Sequence, residues 1–293
     1  MSGSLEFAKY QAAGNDFILI LDLDDAMTIG QELARGLCDR WVGVGADGVI
    51  RVIRDRAAPF RMSLTNADGS AAGMSGNGMR CTAAFLHARG LTEGPAVRIA
   101  SGPAVHEVQM RLEGKAVRSA AVSMGAPSFA KSTIPMRGPA WETYLQQPFT
   151  VDGMQATASA VSMGNPHLVL FMPGDPEQVR VESIGPTLEH HELFPERTNV
   201  EFARVSSPDT IDVRVWERGV GETLACGTGA CAVAAAAEEA SLISGLISGG
   251  QQVKVRFRGG VLLVDRRPDG ELVLAGPIEH VFDGVVDPGE LGL

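Results

Sequence analysis

Two short motifs in this chain have residue types and spacing that suit proton chemistry: Cys226-Gly227-Thr228-Gly229 and Ser75-Gly76-Asn77-Gly78. Each motif precedes a run that is predicted to be helical, so each places a thiol or a hydroxyl at a helix N-terminus. Such an N-terminus carries partial positive charge and unpaired N–H groups, which stabilise a thiolate and bind a carboxylate. We therefore predict that the Cys226 thiol has a lowered pKa and acts as a base.

Other polar residues stand beside apolar runs near these motifs. His167 ends Gly164-Asn165-Pro166-His167, which we predict to be a loop before a strand, from where the ring could adjust the charge of the thiol. Glu217-Arg218 follows an apolar strand and precedes a Gly-rich turn, which favours a role in the site over a solvated pair. The other cysteines are predicted to be small buried core residues: Cys38, Cys81 and Cys231.

The elements that must position these motifs follow from hydrophobic periodicity and turn residues. Helices are predicted over residues 29–39, from Ser75 to near Gly90, and from Cys226 to residue 242 or 243, with Gly245 as the stop signal. Strands are predicted before the Gly14-Asn15-Asp16 loop and over residues 17–21, 49–53, 96–100, 107–112, 116–122, 156–161, 168–172, 198–204, 211–216, 253–257, 261–264 and 271–275. A Pro-containing connector is predicted over residues 126–147.

The two halves of the chain share one plan of strands, a Gly-rich turn and a helix. The motifs at Ser75 and Cys226 align without gaps, and they lie about 150 residues apart, which is near the size of one domain. We interpret this as an internal duplication that gives two α/β (α+β) domains facing each other across a cleft. Two unrelated Gly-rich turns are the alternative, since short glycine matches are common.

The bulk composition limits the class of protein. The chain has 293 residues, a hydrophobic fraction of 45% and a net charge of -10, which allows a large core and argues against nucleic-acid binding. No apolar run is long enough to span a bilayer, and no signal peptide is recognisable. The four cysteines are expected to be free thiols in a cytoplasmic protein, and their spacing predicts no metal site.

Six stretches together resemble the diaminopimelate epimerase family and occur in the order of that family: Gly14-Asn15-Asp16-Phe17, Gly45-Ala46-Asp47-Gly48, Asn66 through Cys81, Gly164 through His167, Thr198-Asn199-Val200-Glu201-Phe202, and Glu217 through Ala230. The resemblance implies interconversion of LL- and meso-diaminopimelate without a cofactor or metal. It implies two pseudo-symmetric domains, each with strands wrapped around a central helix and with the site in the interdomain cleft. We place these domains at residues 1–125, completed by 277–293, and at 126–276, and expect a small amino-acid substrate and a homodimer.

The resemblance also implies roles for individual residues. Cys226 matches one of the two catalytic cysteines of the family, and His167 and Glu217 match the pair that adjusts the catalytic protonation states. Gly76, Asn77, Gly227 and Thr228 match the helix-start groups that bind the reacting α-carboxylate. The residues that match those holding the rest of the substrate are Asn15, Asn66, Asn165, Asn199 and Arg218.

Two departures from the family pattern affect the expected chemistry. The second catalytic cysteine aligns with Ser75, and the stretch Lys9 to Gly14 lacks the His-Gly often found before Asn-Asp-Phe. Ser75 has three interpretations: an engineered replacement that stalls turnover, a natural proton donor or water-holding residue beside a Cys226 base, or a sign of another one-base reaction such as elimination. A paralogue acting on another amino acid and a catalytically silent binding protein remain as alternatives to the epimerase.

Overall fold

The computed structural model describes residues 4–151, 153–243 and 252–291. Backbone contacts divide the chain into two compact units, the first comprising Met1–Val122 with Gly276–Leu293 and the second comprising Ser123–Ala275.

The elements of the two units follow one another in nearly the same order. The chain begins with β1 (Leu5–Ala12), β2 (Asn15–Leu21), α1 (Gln31–Cys38), β3 (Gly48–Arg54), β4 (Phe60–Asn66), β5 (Ala71–Ala72), α2 (Gly76–Ala88), β6 (Ala96–Ser101), β7 (Ala104–Glu113) and β8 (Ala116–Gly125). It continues with β9 (Gln147–Val151), β10 (Met154–Ser162), β11 (Pro166–Phe171), α3 (Val181–Glu189), β12 (Asn199–Ser207), β13 (Thr210–Glu217), β14 (Gly221–Thr223), α4 (Gly227–Glu239), β15 (Val253–Phe257), β16 (Gly260–Arg266), β17 (Leu272–Pro277) and β18 (Glu279–Val286). Short 3₁₀ turns lie at Lys131–Thr133, Pro176–Gln178 and Pro288–Leu291.

Strand pairing repeats from one unit to the other. In the first unit β1 pairs antiparallel with β2, β2 parallel with β3, and β3 antiparallel with β4. In the second unit β10, β11, β12 and β13 pair in the same senses and order. β4 and β13 each pair antiparallel with a short strand and parallel with a longer one, β6 and β15 respectively. The predicted duplication and the α/β (α+β) class are confirmed by this pairing.

Each unit has a central helix surrounded by strands. Helix α2 contacts β1, β2, β3, β4, β6 and β7, and α4 contacts the corresponding strands β10, β11, β12, β13, β15 and β16. Residues Gly76 through Leu86 of α2 are all buried. In α4 the run Ala230-Cys231-Ala232-Val233-Ala234-Ala235-Ala236-Ala237 is also buried, because small side chains let strands approach the helix from every side.

Several local predictions differ from the structure. His167 lies within β11 rather than in the preceding loop. Helix α4 ends at Glu239, short of the predicted residue 242, and Gly245 lies outside the described residues. Helix α3, strands β4, β9 and β18, and the short strands β5 and β14 were not predicted. The glycine and proline inside α3, Gly185 and Pro186, conceal its helical periodicity.

Two hydrophobic clusters stabilise the units. The first-unit cluster includes Ile18, Leu37 and Val49, and the second-unit cluster includes Leu168, Leu188 and Phe202. Burial of such side chains is the main favourable contribution to folding. Within the described residues, no helix is long and apolar enough to cross a membrane.

Candidate active site

The two chemistry-bearing motifs form matching helix caps. Cys226 is the N-cap of α4, and its Sγ accepts a hydrogen bond from the Gly229 N–H at 3.4 Å. Ser75 is the N-cap of α2, and its Oγ accepts from the Gly78 N–H at 3.0 Å. Both N-caps have extended backbones, as a capping side chain requires. Cys226 is 5% exposed, whereas Ser75 is half-buried.

Glycines in the first turns bring other groups close to these caps. A Cβ built on Gly229 would lie 2.8 Å from Glu201 Oε1 and 3.1 Å from Cys226 Cβ. A Cβ built on Gly78 would lie 3.0 Å from Ile50 Cδ1 and 3.3 Å from the Oγ of the cap. The first turn of each helix therefore packs directly on a strand residue, Glu201 in one unit and Ile50 in the other.

Burial raises the pKa of the Cys226 thiol well above its ordinary value, and the carboxylates of Glu217 and Glu201 raise it further. The Thr228 hydroxyl, 3.5 Å from Sγ, and the Gly229 amide lower this pKa without offsetting the burial. The predicted lowering of the pKa is therefore wrong, because the dipole argument omitted the loss of solvation and the two acids. Cys226 is a thiol at neutral pH and thus a potential proton donor.

Glu217 lies beside the sulfur at the end of β13. Its carboxylate accepts a hydrogen bond from the Thr223 hydroxyl and is also hydrogen-bonded to the Cys226 side chain. Burial raises the pKa of Glu217, and the nearby charge of Glu201 acts in the same direction. A carboxyl group in contact with the thiol can take up or return its proton.

His167 and Glu201 form a fully buried pair on adjacent parallel strands. His167 Nδ1 lies 2.6 Å from Glu201 Oε1, and both side chains are 0% exposed. Strand register explains the contact, because His167 of β11 pairs with Asn199 of β12, two residues before Glu201. The sequence-based site included His167 and omitted Glu201. Two signals could have found it: an acidic residue between the apolar Val200 and Phe202, and its place within the family-like stretch from Thr198 to Phe202.

Asparagines connect the remaining second-unit residues. Asn165 lies between His167 and Thr228, with its Oδ1 2.9 Å from His167 Nε2 and its Nδ2 3.3 Å from Thr228 Oγ1.

Asn199 accepts a hydrogen bond from the Arg218 backbone N–H at 2.9 Å. The Arg218 guanidinium donates to a backbone carbonyl, that of Glu196, in an exposed hydrogen bond, so it remains accessible for a ligand carboxylate.

The first unit holds a separate polar network near Ser75. Asn77 donates to Asn15 at 3.2 Å, and Asn15 donates to Asp47 at 2.7 Å. The fully buried Arg80 donates to Asn77 Oδ1 at 2.8 Å. Asn66 instead makes a local hydrogen bond to Ser70. Asp47 and Arg80 were not predicted as site residues, although both lie within the motifs.

Comparison with known proteins places these motifs in a family. The family model described as Diaminopimelate epimerase matches residues 7–130 and 159–281. A diaminopimelate epimerase of Desulforudis audaxviator is 41% identical over 96% of this chain and 98% of the relative. One from Pelotomaculum thermopropionicum is 39% identical with the same coverage. The chain belongs to the diaminopimelate epimerase family.

Solved structures of related folds extend the comparison. A probable proline racemase from Agrobacterium radiobacter K84 has a TM-score of 0.70 at 14% identity, covering 96% of this chain and 92% of that one. A phenazine biosynthesis protein of the PhzF family from Bacillus anthracis has a TM-score of 0.69 at 15% identity, covering 97% and 99%. At such identity these likenesses concern the fold alone. Membership of the diaminopimelate epimerase family makes the chain an amino-acid epimerase, which is an isomerase.

The structure of this diaminopimelate epimerase-family chain brings some of the predicted site residues together. In the second unit, hydrogen bonds bring together Cys226, Thr228, Asn165, His167 and Glu217. Asn199 and Arg218 form a neighbouring pair. In the first unit Asn15 and Asn77 are bonded, and Ser75 caps the helix that carries Asn77. No group of His, Cys, Asp and Glu among the described residues could hold a metal ion.

Proposed function

We propose that this protein interconverts LL- and meso-diaminopimelate, and that Cys226 exchanges a proton with the reacting α-carbon. The observation that carries the proposal is the thiol at the start of α4, hydrogen-bonded to Thr228, Gly229 and Glu217. It combines a proton donor and helix-start amides in the first turn of α4 with a proton-accepting neighbour at the end of β13. These are the elements that acid–base chemistry at carbon requires in the absence of a cofactor.

Cys226 supplies a proton in one direction and removes one in the other. As a thiol it donates its proton to the carbanion-like α-carbon, so that a C–H bond forms and a thiolate remains. In the reverse direction the thiolate takes the α-proton and becomes a thiol again. Before this reverse step the resting thiol passes its proton to Glu217, and the positive α-ammonium group of a bound substrate favours the resulting thiolate electrostatically.

Ser75 makes the rates of proton transfer on the two faces of the reacting carbon unequal. An epimerase must deliver a proton to the face opposite the one it deprotonates, and we assign this second face to Ser75. A hydroxyl is a far weaker acid than a thiol, so Ser75 either donates the proton on this face itself or holds a water that donates it. In the opposite direction the resulting alkoxide or hydroxide takes the α-proton back. Deprotonation on the Cys226 side is therefore faster than complete epimerisation.

The remaining residues bind the substrate in this proposal. Amides and side chains at Gly76, Asn77, Gly227 and Thr228 hold the reacting α-carboxylate, where helix N-termini stabilise negative charge. The distal amino-acid end is held by Asn15, Asn66, Asn165, Asn199 and Arg218. An arginine and several amides can recognise this group because they offer directional hydrogen bonds to a zwitterion. We also propose that the protein is cytoplasmic and that it forms a homodimer. Light scattering of the purified protein tests the dimer.

Proton NMR in D₂O tests the proposal. LL- and meso-diaminopimelate are incubated separately with the protein, alongside a small panel of other amino acids. We expect deuterium to enter one diaminopimelate stereoisomer faster than the product epimer appears. Equal exchange from both isomers would contradict the inequality assigned to Ser75. Exchange confined to another amino acid would indicate a paralogue, and binding of diaminopimelate by calorimetry without any exchange would indicate a silent binding protein.

A further inference from the structure

A continuous line of hydrogen bonds joins the buried Glu201 carboxylate to the sulfur of Cys226. Glu201 Oε1 lies 2.6 Å from His167 Nδ1, His167 Nε2 lies 2.9 Å from Asn165 Oδ1, Asn165 Nδ2 lies 3.3 Å from Thr228 Oγ1, and that oxygen lies 3.5 Å from Sγ. We propose that Glu201 is a positioning residue that fixes the His167 ring, so that this relay ends with the Thr228 hydroxyl donating to Cys226. The inference rests on the proposed function, in which Cys226 becomes a thiolate.

The direction of the relay follows from which groups can donate. An amide nitrogen only donates and an amide oxygen only accepts. Asn165 therefore donates to the Thr228 oxygen and accepts from His167 Nε2. With Nε2 as a donor, Nδ1 either donates to the Glu201 carboxylate from a doubly protonated ring or accepts from a protonated Glu201. Because the Thr228 oxygen already receives one hydrogen, its own hydroxyl hydrogen is available to the sulfur. Together with the Gly229 amide, Thr228 then gives a Cys226 thiolate two donors.

Glu201 holds the far end of the relay. Its hydrogen bond to Nδ1 fixes the plane of the His167 ring and directs Nε2 at Asn165. Without a partner for Nδ1, the ring can rotate or present its other nitrogen to Asn165. The amide of Asn165 would then follow, and the Thr228 hydroxyl would lose its fixed direction. The effect of Glu201 on Cys226 thus passes through three intervening side chains.

The fold itself does not require this polar pair, as the first unit demonstrates. Phe17 of β2 pairs with Gly48 of β3, just as His167 of β11 pairs with Asn199 of β12. Two residues beyond Gly48 is Ile50, which packs against the first turn of α2 as Glu201 packs against that of α4. Both Phe17 and Ile50 are buried apolar residues. The same architecture is therefore stable with an aromatic and an aliphatic side chain in these places.

The environment of Glu201 also disfavours a purely structural role. Its Oε2 has no hydrogen-bond partner within residues 4–151, 153–243 and 252–291. A buried polar atom without a partner opposes folding, so an apolar residue would serve packing better. Three ionisable groups face the Cys226 region from separate strands: His167 from β11, Glu201 from β12 and Glu217 from β13.

Alkylation of Cys226 measures the relay independently of turnover. Wild type, Glu201→Gln and Glu201→Ile are treated with iodoacetamide between pH 7 and 10, and the Cys226 peptide is quantified by mass spectrometry. Gln retains a hydrogen bond to Nδ1 but loses the negative charge that raises the Cys226 pKa, so it should react at least as fast as wild type. Ile reproduces the first-unit residue and loses the same charge, so it should react about 10-fold more slowly than Gln at a given pH, because one hydrogen bond to the thiolate is lost. Its kcat should fall while KM stays nearly constant.

A charge effect alone would raise the rate of Cys226 alkylation instead of lowering it in Glu201→Ile relative to Glu201→Gln. If Glu201 acted only through its negative charge, Gln and Ile would alkylate faster than wild type to the same extent, since removing an anion favours the thiolate. That result would overturn the proposal. Thr228→Val removes the last donor directly, so Glu201→Ile should add no further slowing in the Thr228→Val background. Additive slowing would likewise exclude the relay and indicate a structural effect.

Glu238→Gln is the matched control. Glu238 is ion-paired with Arg266 near the other end of α4, about 16 Å along the helix from its start. Its substitution should leave Cys226 alkylation unchanged; a change would mean that loss of any buried acid alters the unit.

The exchange and alkylation measurements together separate the two proposals. If wild type shows no exchange but the alkylation series behaves as expected, the proposed function fails and the relay stands. If wild type exchanges the α-proton but alkylation is the same in Glu201→Gln and Glu201→Ile, the proposed function stands and the relay fails.

Discussion

The starts of α2 and α4 have the same backbone and different chemistry. Ser75 and Cys226 cap their helices in the same way, with extended backbones and a hydrogen bond from the third following residue. Around Cys226 lie Glu217, Glu201 and His167, whereas the strand positions that correspond to His167 and Glu201 in the first unit hold Phe17 and Ile50. The duplicated framework sets where a reactive atom lies, and the neighbouring strand residues decide what it can do.

Replacing each cap with alanine should expose this difference most strongly. We expect Cys226→Ala to reduce α-proton exchange by about 10³-fold, because it removes the thiol at the start of α4. Ser75→Ala should slow exchange by about 10-fold or less, since its hydroxyl does not carry out the faster deprotonation. Exchange rates by NMR in D₂O measure both. Similar losses in the two variants would show that the caps contribute equally.

Ser75→Cys should make the two sides more alike. We expect epimerisation to rise by about 10²-fold, because a thiol donates and accepts a proton far more readily than a hydroxyl. Deuterium incorporation and product formation should then approach each other in rate. Ser63→Cys, which adds a thiol at an exposed strand position of the same unit, is the control and should have no effect. An unchanged rate in Ser75→Cys would mean that more of the site has been rebuilt than this one residue.

The elements that position the site were largely readable from the sequence. Val253–Phe257 has the predicted bounds, and both central helices begin at the predicted motifs. These elements combine a local signal, either alternation or a capping residue, with a local cause. The duplication was readable for the same reason, since Ser75 and Cys226 stand in matching motifs.

Side-chain environments were less predictable because they depend on non-local packing. The contact between His167 and Glu201 comes from the parallel register of β11 and β12, which no local pattern specifies. The raised pKa of Cys226 depends on burial and on acids from two strands. Helix α3 was missed because Gly185 is required beside Trp216, where a Cβ would lie 2.5 Å from the ring. A tertiary contact there overrides the helix propensity that sequence analysis uses.

Alanine at the first-turn glycines should affect the two units to different degrees. Gly229→Ala places a Cβ against the Glu201 carboxylate and the Cys226 side chain, so we expect it to lower the free energy of unfolding by about 1–3 kcal/mol. Gly78→Ala meets the flexible end of Ile50 first, and the gain in helix propensity of up to about 1 kcal/mol should offset much of that contact. Urea unfolding measures both. A larger loss of stability in Gly78→Ala than in Gly229→Ala would mean that the start of α2, and not that of α4, is the more tightly packed.

The smallest expected effect is a pH dependence of stability that only the Cys226 side shows. Because its pKa is raised in the folded protein, the buried thiol contributes stability in full below the pKa of an unfolded cysteine, about 8.5. Above that pH the unfolded chain ionises first, so the contribution falls by at most about 1.4 kcal/mol per pH unit. The free energy of unfolding of wild type minus that of Cys226→Ala should therefore decrease between pH 8 and pH 10.

Burial also raises the pKa of Cys38 and Cys81 to about 12, but both proteins contain these thiols and the subtraction removes them. The difference in free energy of unfolding between wild type and Ser75→Ala should not change over this pH range, because a hydroxyl does not ionise there. A change of that difference with pH would show that the two caps do not differ in this way.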